Sequence, residues 1–149
     1  MSNNAHLLFR IARDSDSELD RSSYMFDCAH WLRVCIDHND NIPDAHFLMG
    51  YLYEQGLSVD KNLKASFDHY LKASELGHVK ATTKLAHFYY SGVRDEQPRY
   101  EEELSTSHSD EEANFLVQPD LALALKKYIR AGKRGDSEAY NCAGLIVEK

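Results

Sequence analysis

Several features that would assign a protein to a common class are absent from this sequence. No apolar run approaches the length of a membrane-spanning helix, and the N-terminus lacks a basic stretch followed by a long apolar core. We therefore expect neither a membrane span nor a secretory leader. No arrangement of Ser, His and Asp, or of Cys and His, stands out as catalytic, so we expect no enzymatic nucleophile.

Cysteine is scarce and odd in number, with only Cys28, Cys35 and Cys142. Without a secretory leader, an odd count predicts reduced thiols and hence a cytoplasmic or nuclear protein. Cys28 and Cys35 are seven residues apart, which on one helix separates their Cα atoms by about 10.5 Å. A disulfide needs Cα atoms closer than about 7 Å, so a helical segment excludes this bridge.

Positive charge is in deficit, because the formal net charge is −7. The deficit is concentrated in residues 94–112, which contain eight acidic and two basic residues and leave the remainder near neutral. A nucleic-acid-binding surface needs a basic footprint. We therefore expect no nucleic acid among the partners.

The composition is that of a globular domain, and the sequence contains an internal repeat. Hydrophobic residues make up 43% of the chain and aromatic residues 11%, and 149 residues are enough for one domain with a core. Residues 45–56 follow the pattern A-x3-[LM]-G-x2-Y-x2-G, and residues 81–92 repeat it with Ala86 in place of the glycine. A third start at Ala139 keeps Gly144 but has Val147 where tyrosine is expected.

A second pattern follows each of the first two starts. Residues 70–81 and 128–139 both follow Y-x-[KR]-A-x3-G-x3-A. The two copies are 58 residues apart instead of 36, and the excess falls in the acidic segment between Val93 and Pro119. A loop therefore interrupts the second repeat, while the apolar spacing on both sides is helical.

The helical spacing and the local start and stop residues predict the secondary structure. Ser15–Glu18 resembles a capping box for a long helix that ends at about His38. The other helices are predicted near 6–13, 44–55, 61–76, 79–91, 120–134 and 137–148.

These motifs resemble the Sel1-like repeat, a relative of the tetratricopeptide repeat. The match is close over 45–81 and resumes over 81–93 and 120–139. The resemblance implies an all-α, right-handed superhelical solenoid of antiparallel helix pairs. Family members are scaffolds that hold other proteins together and are not usually enzymes, so the resemblance implies a protein-binding adaptor without a cofactor.

The register of the repeats divides the chain into two parts. Residues 1–43 form an N-terminal helical region with a degenerate half repeat, and residues 44–149 carry the Sel1-like repeats. The repeats span 44–78, 79–136 with an acidic insertion at 94–118, and a truncated third repeat at 137–149. We expect the apolar stripe of 137–149 to be partly uncovered, so that it contacts another copy of the chain, a partner or a continuation of the chain.

In an array of this kind, the first helix of each repeat lines the concave side. Positions on these helices that packing does not dictate are candidates for contact with a peptide or helix of a partner protein. Large aromatic residues there are favoured binding anchors, although they could instead fill the groove or contact the neighbouring repeat. The candidate partner-binding residues are Phe47, Tyr51, Glu54, Thr83, His87, Tyr90, Asn141 and Leu145.

Two further groups of residues have a functional and a simpler interpretation. Cys28, His30, Cys35 and His38 lie close in sequence, but their spacing does not match a zinc motif, and core packing of the two cysteines is favoured. We therefore expect no metal site. Within the acidic insertion, Ser107 and Ser109 precede acidic residues and suit an acidophilic kinase, but a solvated loop with incidental serines is the favoured interpretation.

A different function class is also compatible with the repeats. The chain could be the regulatory repeat region of a larger multidomain enzyme, resembling the repeats of elongation-factor-2 kinase. A cysteine-bridged Sel1-like enzyme would need paired cysteines on adjacent helices, and these are absent.

Overall fold

The computed structural model describes residues 2–94 and 115–148, which form seven helices and two short strands. The elements are α1 (Ser2–Asp14), α2 (Glu18–His38), α3 (Pro43–Gln55), α4 (Leu63–Glu75), α5 (Val79–Ser91), β1 (Val93–Arg94), β2 (Phe115–Val117), α6 (Leu121–Lys133) and α7 (Ser137–Val147). The predicted all-α repeat fold is confirmed. Helices α3 to α7 begin and end within two residues of their predicted bounds, and α1 is longer than predicted.

Side-chain caps set the starts of most helices. Asn62, Asp120 and Asp136 each accept a hydrogen bond from a backbone N–H in the first turn of α4, α6 and α7. The predicted capping box at Ser15–Glu18 is wrong in register. Ser17 is the N-cap of α2 and accepts from the Asp20 N–H, because Glu18 is already the first residue of the helix.

The helices pack in chain order, which is the arrangement of a solenoid. The main helix contacts join α1 to α2, α2 to α3, α3 to α4, α4 to α5, α5 to α6 and α6 to α7. Three hydrophobic clusters follow one another along the stack, the first under α1 to α3 and the last under α5 to α7. Each helix therefore depends mainly on its immediate neighbours for burial of its apolar face.

Small residues mark the points where paired helices approach each other. A Cβ atom built on Gly50 would lie 2.9 Å from ring carbons of Tyr70 and 3.2 Å from the Ser66 carbonyl oxygen. Tyr70 is fully buried, so its ring has no room to move away. Glycine at position 50 is thus required by the close crossing of α3 and α4.

The first helix pair, α1 and α2, packs in a similar way with different residues. The thiol of Cys28 on α2 donates to the Ala5 carbonyl of α1 at 3.3 Å, just as the Ser66 hydroxyl on α4 donates to the Gly50 carbonyl of α3 at 2.8 Å. Cys28 and Cys35 are both buried in the first cluster. The core-packing interpretation of these cysteines is confirmed, and burial raises the pKa of Cys28 to about 11.

The ends of the acidic insertion are ordered, which the sequence analysis did not predict. Strand β1 pairs antiparallel with β2, with Val93 opposite Val117 and Arg94 opposite Phe115. Val93 and Val117 are buried against α4 and α5. The expectation of a loop over all of 94–118 is therefore wrong at both ends. Residues 95–114, and with them the candidate phosphorylation sites Ser107 and Ser109, lie outside the described residues.

Candidate functional site

One groove runs along the first helices of successive pairs. It has a volume of about 340 Å³ and is bordered by α1, α3, α5 and the start of α7. Its lining residues are Phe9, Arg13, Phe47, Leu48, Tyr51, Lys80, Thr83, Lys84, His87, Asp136 and Glu138. The groove therefore collects residues that are more than 120 positions apart in sequence on one surface.

The floor of the groove is aromatic. The ring of Phe47 stacks on His78 at a centroid distance of 4.4 Å and lies 5.6 Å from Tyr70. The rings of Phe9 on α1 and Tyr51 on α3 meet edge to face at 5.5 Å. Phe47 is thus also a packing residue, which corrects the expectation that the fold does not demand a large side chain there.

The cationic side chains of the groove lie on α1 and α5. They are Arg13, Lys80 and Lys84. Lys84 Nζ lies 3.3 Å from the Glu54 carboxylate, and Arg13 Nε lies 3.0 Å from Asp14. Lys80 is exposed, and its positive charge is one of the influences that hold the pKa of His78 below its usual value, after the larger effect of burial.

The carboxylates of the groove lie at the start of α7 and contact α5. The Thr83 hydroxyl donates to Asp136 Oδ2 at 2.6 Å, which ties α5 to the start of α7. His87 Nε2 lies 3.8 Å from Glu138, and His87 Nδ1 lies 2.7 Å from the Tyr128 hydroxyl. The groove therefore combines aromatic rings with cationic side chains from α1 and α5 and with carboxylates from the start of α7.

Seven of the eight predicted binding residues fall into two groups in the structure. Phe47, Tyr51, Thr83 and His87 line the groove, although Thr83 is only 4% exposed. Tyr90, Asn141 and Leu145 are exposed but are not part of the lining described above.

Glu54, which was predicted to contact a partner, instead contacts side chains of two neighbouring helices. Its side chain is 19% exposed, and its carboxylate accepts from the Tyr70 hydroxyl at 2.5 Å and faces Lys84. Burial, followed by the interaction with Glu54, raises the pKa of Tyr70, so this hydroxyl remains a donor. Glu54 therefore links α3, α4 and α5 under the groove.

Sequence analysis missed the contribution of α1. Phe9 and Arg13 line the groove, yet the short predicted helix at 6–13 has no repeat motif that would place it on the concave side. The available clue was the apolar spacing of Leu8, Phe9 and Ala12, which are packed or buried against the neighbouring helices.

Within residues 2–94 and 115–148, no cluster of three His, Cys, Asp or Glu residues is placed to bind a metal ion. In the same part of the chain, no helix combines the length and apolar character that crossing a membrane requires.

Part of the sequence and the overall fold are similar to those of known proteins. The family model of the Sel1 repeat matches residues 43–78. A Sel1 repeat protein from Oxalobacter formigenes is similar over 96% of this chain, with 25% identity and a TM-score of 0.64. A protective antigen of uropathogenic Escherichia coli with an SLR fold is similar over 97% of this chain, with 18% identity and a TM-score of 0.55. No curated protein sequence matches this chain.

The chain spans about half the length of the first of these structures (49%) and about a quarter of the second (26%). Proteins with the Sel1 repeat fold commonly mediate protein–protein interactions and are generally non-catalytic scaffolds. The matched repeat is the α3/α4 pair, in which Gly50, Ser66 and Tyr70 form the helix crossing described above. Residues 43–78 thus match the Sel1 repeat, and they lie inside an all-α helical array with the fold of the Sel1-like repeat structures described above.

Proposed function

We propose that the protein is a scaffold or adaptor that binds a peptide or helix of a partner protein in the groove along α1, α3 and α5. The observation that carries this proposal is the aromatic floor of Phe9, Phe47 and Tyr51 in a groove that three helices hold in place. Aromatic residues supply large contact areas at low entropic cost, which makes them favoured anchors at protein interfaces.

The charges of the groove narrow the chemistry of the partner. An apolar side chain of the partner would lie on the aromatic floor, and an acidic residue would face Arg13, Lys80 and Lys84. A basic or polar residue would face Asp136 and Glu138 at the other end. Charge complementarity of this kind fixes the direction and register of a bound segment more than it adds affinity.

The test is site-specific photo-crosslinking followed by mass spectrometry. A photoreactive amino acid replaces Lys80 at the groove in one variant and Lys64, which is exposed on the outer helix α4, in the matched control. We expect a discrete crosslinked protein from position 80 and not from position 64. The same crosslink should weaken when Tyr51→Ala is added, because the aromatic floor is then incomplete.

Equal crosslinking from positions 64 and 80 would contradict the groove proposal. Loss of the helical circular dichroism signal in Tyr51→Ala would mean that Tyr51 acts only as a packing residue against Phe9. In that case Arg13→Glu serves as the second variant, because this side chain lines the groove, is exposed and is not part of the core.

A further proposal concerns the compartment in which the protein works. The three cysteines are free thiols, which supports a reducing compartment such as the cytoplasm or the nucleus. The alternative function, a regulatory repeat region of a larger enzyme, receives no support from the structural relatives.

A further inference from the structure

Helix α5 begins with a different kind of cap from its neighbours. Asn62, Asp120 and Asp136 cap α4, α6 and α7 with amide or carboxylate oxygens. His78 caps α5, and its Nδ1 accepts from the backbone N–H of Ala81 at 3.1 Å. An imidazole nitrogen can accept a hydrogen bond only while it carries no proton. The start of α5 therefore depends on the protonation state of a side chain whose ordinary pKa is 6.5.

The other ring nitrogen of His78 contacts α3. His78 Nε2 lies 3.2 Å from Asp44 Oδ1, and Oδ2 of the same carboxylate lies 3.7 Å from His6 Nε2 on α1. Because Nδ1 is the acceptor, Nε2 carries the proton of the neutral ring and donates to Asp44. Both nitrogens of the neutral ring are thus hydrogen-bonded, and the side chain is only 16% exposed.

The imidazole ring also supports the floor of the groove. It stacks on the ring of Phe47 at a centroid distance of 4.4 Å, with 14° between the two planes. Phe47 lines the groove, and so does Lys80 in the first turn of α5. The side chain of His78 therefore holds both the aromatic floor and the start of a helix that borders the groove.

A second proton on this ring conflicts with the cap. The protonated Nδ1 would point its N–H at the N–H of Ala81, so the hydrogen bond between them would be lost. The positive charge would also lie at the N-terminus of α5, which is the positive end of the helix dipole. Relief of the conflict requires either the ring of His78 to turn away from Phe47 or the first turn of α5 to move.

The charged groups around His78 come from several elements. Burial has the largest effect and lowers the pKa of His78, Asp44 on α3 opposes this shift, and Lys80 on α5 and His6 on α1 add to it. Arg134, which follows α6, donates to the carbonyl of the residue before His78 at 3.5 Å and places a further positive charge beside this turn. Protonation of His78 is therefore expected below pH 6.5.

The second turn of α5 is anchored to other helices. The Thr82 and Ser74 hydroxyls are hydrogen-bonded at 2.7 Å, which joins α5 to α4. The Thr83 hydroxyl donates to Asp136 at the start of α7 at 2.6 Å. Loss of the cap should therefore change residues 78–81 and leave the rest of the helix in place.

We propose that His78 is a pH-sensitive switch that regulates the groove. Neutral His78 caps α5 and supports the ring of Phe47, and this form binds the partner. Protonation of His78 releases the N–H of Ala81 and the ring of Phe47, displaces Lys80 and weakens binding. The effect on binding rests on the function proposed above, whereas the change in structure does not depend on a partner.

Solution NMR of the isotope-labelled 149-residue chain tests the change in structure. The ring signals of His78 and Phe47 and the amide signal of Ala81 are followed from pH 7.5 to pH 4.5. We expect all three to change with one midpoint below pH 6.5. The protection factor of the Ala81 amide against hydrogen exchange should fall at least about fivefold across this midpoint, which corresponds to the loss of an N-cap. The amide of Leu123, which Asp120 caps, should keep its protection at that pH.

An Ala81 amide that stays unchanged while His78 titrates would overturn the proposal, as would a His78 ring that stays neutral down to pH 4.5. Either result would mean that the cap of α5 does not respond to pH.

Substitutions identify the group that titrates. His78→Asn keeps an N-cap acceptor but does not titrate, so the transition at Ala81 should disappear. His78→Ser serves as a second cap variant if His78→Asn lowers the helical circular dichroism signal. His6→Asn removes the other histidine beside Asp44 and should retain the transition. Asp44→Asn should move the midpoint to lower pH and Lys80→Ala to higher pH, because these residues shift the pKa of His78 in opposite directions.

Persistence of the transition at Ala81 in both cap variants would also overturn the proposal, because a group other than His78 would then cause it.

Photo-crosslinking tests the effect on binding. A photoreactive amino acid replaces Arg13, which lines the groove from α1, in the parent chain and in His78→Asn. The protein captured from position 80 is added at pH 7.5 and at one pH unit below the NMR midpoint. We expect the crosslink yield of the parent to fall at least about threefold at the lower pH, and that of His78→Asn to stay constant.

An equal fall in both chains would overturn the regulatory role of His78. If no protein is captured from either position at pH 7.5, the groove function itself is contradicted. The NMR transition at Ala81 distinguishes the two failures, because it requires no partner.

Discussion

The α3/α4 and α5/α6 interfaces share one register but are built from different chemistry. In the first, Gly50 faces Ser66, whose hydroxyl donates to the Gly50 carbonyl at 2.8 Å. In the second, Ala86 and Ala124 occupy the equivalent positions and are both fully buried. The repeat therefore requires small residues at the helix crossing, and these residues can be polar or apolar.

Tyr70 and Tyr128 occupy equivalent positions in the two interfaces, and their hydroxyl groups are hydrogen-bonded to chemically different side chains. The Tyr70 hydroxyl crosses to the Glu54 carboxylate on α3 at 2.5 Å, and the Tyr128 hydroxyl crosses to His87 Nδ1 on α5 at 2.7 Å. Both bonds run from the second helix of a pair to the groove side of the first. A tyrosine at this position thus connects the packed interior to the candidate binding groove, whichever polar group it is hydrogen-bonded to.

The largest effect is expected from filling the α3/α4 crossing. Gly50→Leu should destabilise the fold by about 1–3 kcal/mol, because the added side chain meets the immobile ring of Tyr70. Gly144→Leu should be neutral or slightly stabilising, because nothing surrounds Gly144 and a mid-helix glycine costs about 1 kcal/mol. Urea unfolding followed by circular dichroism measures both. Equal losses of stability in the two variants would show that Gly50 is no more closely packed than Gly144.

Residues that meet across this crossing could be predicted from sequence because helix geometry fixes them. Gly50, Ala73, Ala81 and the tyrosines recur at spacings that only helix pairs explain, and the structure places them at interfaces. The partners of Glu54 could not be predicted in this way. Its acceptor role depends on Tyr70 and Lys84, which lie 16 and 30 positions away on two other helices.

The groove was predicted in part for the same reason. Phe47, Tyr51, Thr83 and His87 were found because the repeat assigns α3 and α5 to the concave side. Phe9 and Arg13 were missed because α1 lacks the repeat motif, so nothing in its sequence orients it relative to α3. The strand pair at the base of the insertion was missed because β1 has only two residues.

A smaller difference in stability between the two interfaces is expected when the hydroxyl group of Tyr70 or of Tyr128 is removed. Tyr70→Phe should cost about 2 kcal/mol, because hydrogen bonds to charged acceptors are stronger than neutral ones. Tyr128→Phe should cost about 1 kcal/mol, because its hydrogen-bond partner, His87, is partly exposed and can bond to water instead. Thermal unfolding of the two variants provides the measurement, with Tyr24→Phe on α2 as a control for the substitution itself. A larger loss of stability in Tyr128→Phe than in Tyr70→Phe would contradict this prediction.

Lowering the pH should destabilise the α3/α4 interface more than the α5/α6 interface. Burial, followed by the charge of His46, lowers the pKa of His69, and burial lowers the pKa of His78. Between these lowered values and the ordinary pKa of 6.5, the unfolded chain binds more protons than the folded chain. The contribution to stability is thus fully present above pH 6.5 and declines as the pH falls through it.

Urea midpoints at pH 7.5, 6.5 and 5.5 measure this decline. His69→Asn keeps a donor near His46 but does not titrate, so the loss of stability between pH 7.5 and pH 5.5 should become smaller. An unchanged pH dependence in His69→Asn would show that the buried histidine does not contribute to it.

The smallest effect is expected from shortening the insertion that separates β1 from β2. Removing residues 95–114 and joining Arg94 to Phe115 through Asn-Gly keeps the strand pair and supplies a turn suited to a hairpin. A shorter loop costs less closure entropy, so stability should change by about 1 kcal/mol or less. Removing 95–117 instead also deletes Val117, which is 7% exposed and packs with Val93 in the cluster under α4 and α5. The second deletion should therefore lower the melting temperature clearly, whereas the first should not. If both deletions unfold the chain, residues 95–114 contribute to the core of the second repeat, and the interruption is part of its structure.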